Sequence, residues 1–189
     1  TTPNATTPNA TTPNATTPNA TTPNPDELVQ LLLELLRSNL AQWDLEDLTR
    51  DPEAEDFAVA TAKRSIDRLN MERHGLVERV DVVIDRALVQ SPTATLSTES
   101  PAMAFDRLSV LAIRLDRAHR AAGTASNNGS DLSPLLKRLS GQVDALTESI
   151  DALLDDVRAG RRRFVPYEHF KLYGSDTSNV IRTDGTRRG

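Results

Sequence analysis

Apolar residues step along this chain by threes and fours, and the stepping is interrupted by a few prolines and glycines. After Asn24-Pro25, Asp26 and Glu27 put negative charge in a first helical turn, where the helix dipole favours it. Leu28, Leu32, Leu35 and Leu36 form a stripe that continues through Asn39, Trp43 and Glu46. Polar groups therefore fall where the pattern predicts core. Arg50-Asp51-Pro52 closes the helix, because proline disfavours helical geometry at the residue before it.

A long second helix is predicted over 53–89. One face reads Val59, Lys63, Ile66, Asn70, Arg73, Val77, Val80 and Ile84, apolar at both ends and polar in the middle. A flanking stripe reads Asp67, His74, Glu78, Asp81 and Asp85. Gly75 in the interior costs roughly 1 kcal/mol against Ala and points to a close helix crossing or a bend.

Residues 91–100 form a connector, after which Ser100 as N-cap and Pro101 in the first turn open a third helix. Its main face is Ala104, Leu108, Leu111, Leu115 and Ala118, and it runs to about Ala122. A loop over 123–131 follows, and Ser133-Pro134 repeats the capping device. In the fourth helix Leu136, Leu139, Val143, Leu146, Ile150, Leu153 and Val157 alternate steps of three and four. Such a seam packs in a left-handed bundle or pairs with another chain, so a homodimer through helix 131–160 is one expectation. Gly160 is placed to end it as the C′ residue.

The fold expected is all-α: a helical bundle of about four helices over 26–175 with a C-terminal extended strap. A disordered arm over 1–25 precedes it and a disordered tail over 176–189 follows. The arm consists of four copies of Thr-Thr-Pro-Asn-Ala and a fifth, altered one. That composition buries nothing, and its prolines oppose helix and sheet alike. Its Asn-Ala-Thr sequons read as glycosylation acceptors or, without an export signal, as a by-product of tandem duplication. The strap, 161–174, gathers Phe164, Tyr167, Phe170 and Tyr173 in a chain with 4% aromatics. It reads as a segment docked by its rings, or as a basic–aromatic surface for single-stranded RNA.

Composition narrows the function classes. Aromatic scarcity leaves Leu, Val, Ile and Ala to build the core, which suits helices. The sequence has no cysteine, which removes disulfides, thiolate metal sites and cysteine nucleophiles. No apolar run approaches the roughly 18–20 residues that span a bilayer, so a cytoplasmic protein with no membrane span is expected. Net charge is −5, with basic residues collected after Val157 and an acidic body before it. That distribution argues against a dedicated nucleic-acid-binding domain.

No glycine-rich phosphate loop, Gly-x-Ser-x-Gly elbow or Glu-x-x-His metal pair occurs. No catalytic residue, metal ligand or cofactor is therefore assigned, and whether the protein is an enzyme stays open. The polar middle of helix two, level with Glu46 and Asp47, reads as a structural ion-pair network, as a ligand pocket, or as a carboxylate cluster around a cation. At the Ser100-Pro101 start, Thr98, Ser100 and Arg107 read as an anion site or as ordinary capping with a salt bridge. The candidate ligand-binding residues are Glu46, Asp47, Lys63, Asp67, Asn70, Arg73, Asp106 and Arg107. Lys63, Arg73 and Arg107 would grip phosphate, and Glu46, Asp47 or Asp67 would supply a general base or cation ligands.

The blocks WDLED (43–47), KRSIDRLNMER (63–73), VERVD (77–81), TESPAMAFDRLSVLAIR (98–114) and RRRFVPYEHFKLYG (161–174) resemble, in that order, an uncharacterised bacterial family, domain of unknown function 4254. The resemblance covers roughly 40–174. It implies a small all-helical protein. Because members are encoded near glycosyltransferases and other surface-glycan genes, it also implies an accessory role beside glycan-pathway proteins. The alternative is an enzyme or ligand-binding protein for a nucleotide-sugar or sugar phosphate. The chain departs from the family at its ends, where the helix before WDLED is short and the repeat arm has no counterpart.

Overall fold

The computed structural model describes residues 25–125 and 131–170. Residues 1–24 of the predicted arm, the tail and the end of the strap from Lys171 onward lie outside the described residues, while Pro25, expected in the arm, opens the first helix. So do 126–130 of the predicted loop. Four helices make up the body: α1 Pro25–Thr49, α2 Asp56–Ala87, α3 Pro101–Ala125 and α4 Ser133–Arg158. α1 and α2 pair with each other, α3 touches both, and α4 packs on α3. The bundle is therefore a closed trio with α4 laid against one member.

Sequence chemistry accounts for the helix ends. Asp26 and Glu27 occupy the first turn of α1, where acids favour the helix dipole. Ser100 is buried ahead of α3, and its hydroxyl accepts the Met103 N–H at 3.4 Å. α4 differs in detail from the expectation. Ser133 is its first helical residue rather than its cap, and Asp131 Oδ1 accepts the Ser133 N–H at 2.9 Å. Gly160 ends α4 with φ +68°, the left-handed geometry that glycine adopts without steric cost.

The connector and the strap hold an element the periodicity did not predict. Thr95–Leu96 (β1) pairs in parallel with Arg162–Arg163 (β2), Thr95 opposite Arg162 and Leu96 opposite Arg163. The Thr95 N–H donates to the Arg161 carbonyl and the Ser97 N–H to the Arg163 carbonyl. This short ladder fixes the chain leaving α4 beside the chain entering α3.

The main core joins Leu31 and Leu35 of α1, Leu76, Val77, Val80, Val83 and Ile84 of α2, and Ala102 of α3. Val157 at the end of α4 and Phe164 of the strap complete it. Leu31, rather than Leu32, is the fully buried residue of its turn, so the α1 stripe is rotated slightly from the expected one. The seam of α4 is turned inward: Leu146 and Ile150 cluster with Ala104 and pack on Phe105, Leu108 and Leu111 of α3. Gly75 does not mark a close crossing: α2 is continuous there and a Cβ at Gly75 would meet nothing within 4 Å.

Candidate functional site

The two polar stripes of α2 face different neighbours. Asn70 and Arg73 turn toward α1 and α3. Gln42 Nε2 donates to Asn70 Oδ1 at 2.9 Å. Arg73 Nε lies 3.9 Å from Asp106 Oδ1, and the same oxygen accepts Asn39 Nδ2 at 2.9 Å. Asn39 Nδ2 also approaches Ser109 Oγ at 2.6 Å, and that hydroxyl donates to the Asp106 carbonyl at 2.7 Å. One side chain from each of α1, α2 and α3 thus meets at the Asp106 carboxyl group.

The Arg73–Asp106 pair is an ion pair without a direct hydrogen bond, because 3.9 Å is too long for one. Its side chains are 27% and 18% exposed, so water screens it only in part. Arg73 Nε is buried and has no hydrogen-bond partner among the described residues. A buried N–H of a charged group is costly to leave unpaired.

His74, Glu78 and Asp81 form the second stripe and face the strap. Asp81 is fully buried. Its two oxygens accept the Ala102 N–H at 2.9 Å and the Tyr167 N–H at 2.8 Å, and the Ser100 side chain adds a further hydrogen bond. Burial pushes the Asp81 carboxyl above the usual carboxylate range. The bonds from Ser100, Tyr167 and Ala102 pull it part of the way back, and Asp85 adds a smaller upward push. Glu78 accepts the His169 N–H. Asp85 accepts Gln90 Nε2 at 2.6 Å, and Gln90 Oε1 accepts the Phe164 N–H at 2.6 Å.

Tyr167 hydroxyl sits 2.8 Å from His74 Nδ1 and 3.2 Å from His169 Nδ1. The two imidazoles stack with centroids 3.8 Å apart and planes within 5°. A phenol has one proton and two lone pairs, so it donates to one ring and accepts from the other. Burial, with Glu78 next, raises the Tyr167 pKa, while Arg73 opposes the rise. The hydroxyl therefore stays protonated at neutral pH.

Arg73 also borders open space. α2 and α4 flank α3 without pairing with each other, which leaves a groove floored by α3. It encloses about 640 Å³, with Arg73 on the α2 side, Arg107, Val110 and Arg114 on the floor, and Gln142 and Ser149 on α4. Asp106 is the one carboxylate among its lining residues. Arg107 is paired with Glu99 at 2.5 Å, whereas Arg114 has no ion-pair partner among the described residues. Guanidinium groups set among apolar side chains have the chemistry to hold a planar or tetrahedral oxyanion. Among the described residues no group of three or more His, Asp or Glu is placed to hold a metal ion.

The model of one family, Protein of unknown function (DUF4254), matches residues 29–165. The chain belongs to that family. No curated protein and no solved structure matches the chain. The DUF4254 match takes in all four helices from Val29 onward, with Asn39, Arg73, Asp106 and Arg114 inside it. It ends before Tyr167 and His169, so the imidazole–phenol cluster straddles its C-terminal limit.

Of the residues singled out from sequence, Arg73, Asp106 and Arg107 are brought to one groove within the DUF4254 segment. Asn70 joins α1 to α2 through Gln42. Glu46 lines an adjoining hollow with Arg73 and is paired with Arg50 at 3.2 Å. Asp47, Lys63 and Asp67 stand apart: Asp47 pairs with Arg50, and Lys63 pairs with Asp67 at 3.1 Å on the exposed face of α2. Thr98 is exposed, and Ser100 is spent on Asp81 and the helix cap. Sequence reasoning did not single out Arg114. Its signal was the seven-residue spacing from Arg107, which repeats one helix face.

Proposed function

We propose that this protein binds a small phosphate-bearing ligand in the groove between α2 and α4. The observation that carries the reading is the convergence of Arg73, Arg107 and Arg114 on one concavity in which Asp106 is the lone acid. Arg73 brings a guanidinium to the wall of the groove, and Arg114 brings one with no ion-pair partner among the described residues. Asp106 and Asn39 hold the Arg73 side of the site in register, so the network positions the donors rather than replacing a ligand. The family resemblance adds an accessory role in the cytoplasm beside glycan-assembly enzymes. Phosphate-bearing intermediates suit that setting, and its support is the resemblance alone. Among the described residues no helix is long and apolar enough to cross a membrane.

The test is a thermal-shift titration of the full chain with inorganic pyrophosphate. At 100 Kd a ligand adds about 2.7 kcal/mol of stability, which raises Tm by several degrees. Arg114→Ala removes no ion pair among the described residues, so it should leave the unliganded Tm unchanged and weaken pyrophosphate about tenfold. A wild-type protein that shows no shift up to millimolar pyrophosphate sinks the reading.

A further inference from the structure

The arginine groove continues at both ends. Toward the strap it opens into a hollow of about 230 Å³ that shares Arg73, Asp106 and Arg107 and ends on Met103 and Tyr167. Toward the ends of α1 and α3 it adjoins another of about 250 Å³, which shares Arg73, Val110 and Arg114 and is walled by Trp43, Gln42 and the Glu46–Arg50 ion pair. Met103 and Arg114 lie on one helix, so at 1.5 Å per residue this surface follows α3 for about 16 Å. A lone phosphate fills only its arginine-lined middle.

The Trp43 end carries its own unmet chemistry. Trp43 is partly exposed and lines the hollow with two of the three arginines. Gln42 beside it spends its amide N–H on Asn70, while its Oε1 is buried with no hydrogen-bond partner among the described residues. An indole beside an unpaired carbonyl acceptor suits a flat heteroaromatic ring with an N–H on its edge. Phosphate groups belong one step further along, on the arginines.

We infer that the groove takes a nucleoside diphosphate, with its base against Trp43, an edge N–H donated to Gln42 Oε1, and its diphosphate on Arg114 and Arg73. This rests on the phosphate-binding reading of the same groove and adds the ligand's class and direction. The end toward Tyr167 is left for whatever group the terminal phosphate carries.

The sequence contains one tryptophan, so tryptophan fluorescence, excited where tyrosine does not absorb, reports on Trp43 alone. The full chain is titrated with uridine diphosphate and adenosine diphosphate, and with pyrophosphate and ribose 5-phosphate as controls, by fluorescence and calorimetry. At least one nucleotide should quench Trp43 and bind about tenfold or more tighter than pyrophosphate. Trp43→Leu should erase that advantage without changing pyrophosphate affinity, and Trp43→Phe, which keeps a ring, should retain most of it. If pyrophosphate binds as tightly as either nucleotide and fluorescence is unmoved, the nucleoside inference is overturned while phosphate binding stands. A nucleotide preference that survives Trp43→Leu puts the base elsewhere and overturns it too. Binding of none of the four removes both readings.

Discussion

The carboxylate of Asp81, in the last two turns of α2, accepts the backbone N–H of Tyr167 at 2.8 Å across 86 positions of sequence. Its other oxygen holds the N–H of Ala102 at the start of α3. One side chain therefore joins α2, α3 and the strap, and it does so with no exposure to solvent. Asp81→Ala should cost about 2–4 kcal/mol, because it strands two backbone donors that a buried alanine cannot satisfy. Asp81→Asn, which keeps one acceptor, should cost less. Chemical denaturation of the two variants checks the order.

The raised pKa of Asp81 gives its pH signature an unusual sign. A carboxyl with a folded-state pKa above its unfolded value holds its proton longer in the native state. Stability contributed by this group therefore falls as pH rises from about 3.9, the unfolded reference, through the folded value. The stability of wild type minus that of Asp81→Asn should be greatest on the acid side of that window and decline across it. Denaturation curves from pH 3 upward measure this, and a difference that grows with pH would contradict the burial argument.

Phe164 should prove to be core rather than tail. It is buried with Leu31, Leu35 and Val157, and Phe164→Ala should cost about 3–5 kcal/mol. Phe170, exposed on the same strap, should tolerate alanine within about 0.5 kcal/mol. Paired urea melts of the two variants make the comparison.

Gly75→Ala should stabilise the protein by about 1 kcal/mol, since alanine is the better helix former and its Cβ would enter open space. A loss of stability instead would show that the α1–α2 surface beside Gly75 is closer than its geometry indicates. Thermal or chemical melts resolve a change of that size.

Asp106→Asn separates the network from the site. Neutralising the one acid in the groove should raise pyrophosphate affinity severalfold, because Arg73 no longer shares its charge. The same change loosens the Asn39 contact and should cost about 1 kcal/mol of stability. Affinity by calorimetry and stability by denaturation should thus move in opposite directions.

Much of this arrangement was legible in the sequence. Periodicity placed the four helices, and the polar stripes of α2 announced that its neighbours would be more than a leucine core. Local rules could not assign each stripe its partner. Lys63, Asp67 and Arg73 carry the same kind of signal, yet Lys63 and Asp67 satisfy each other one turn apart on the surface, while Arg73 meets α3. Which it would be depends on helix rotation, and one residue's difference at Leu31 against Leu32 shows how finely that is set. The roles of His74, Glu78 and Asp81 were hidden for another reason. Glu78 and Asp81 are answered by backbone N–H groups of the strap and of the α3 start, which leave no mark in a sequence, and His74 by the side chains of Tyr167 and His169 far along the chain.

The β1–β2 ladder and Phe164 carry a consequence for the order of events during synthesis. α1 and α2 emerge from the ribosome first, but the core they face includes Val157 and Phe164 from the far end of the chain. The hairpin of α1 and α2 must wait, with Leu31, Leu35 and Val80 incompletely covered, until the strap has been made. A nascent chain stalled before Phe164 exposes that apolar face and an unanswered Asp81 carboxylate together. Completion of the fold is thus timed by the strap, which is made after all four helices, rather than by the helices themselves.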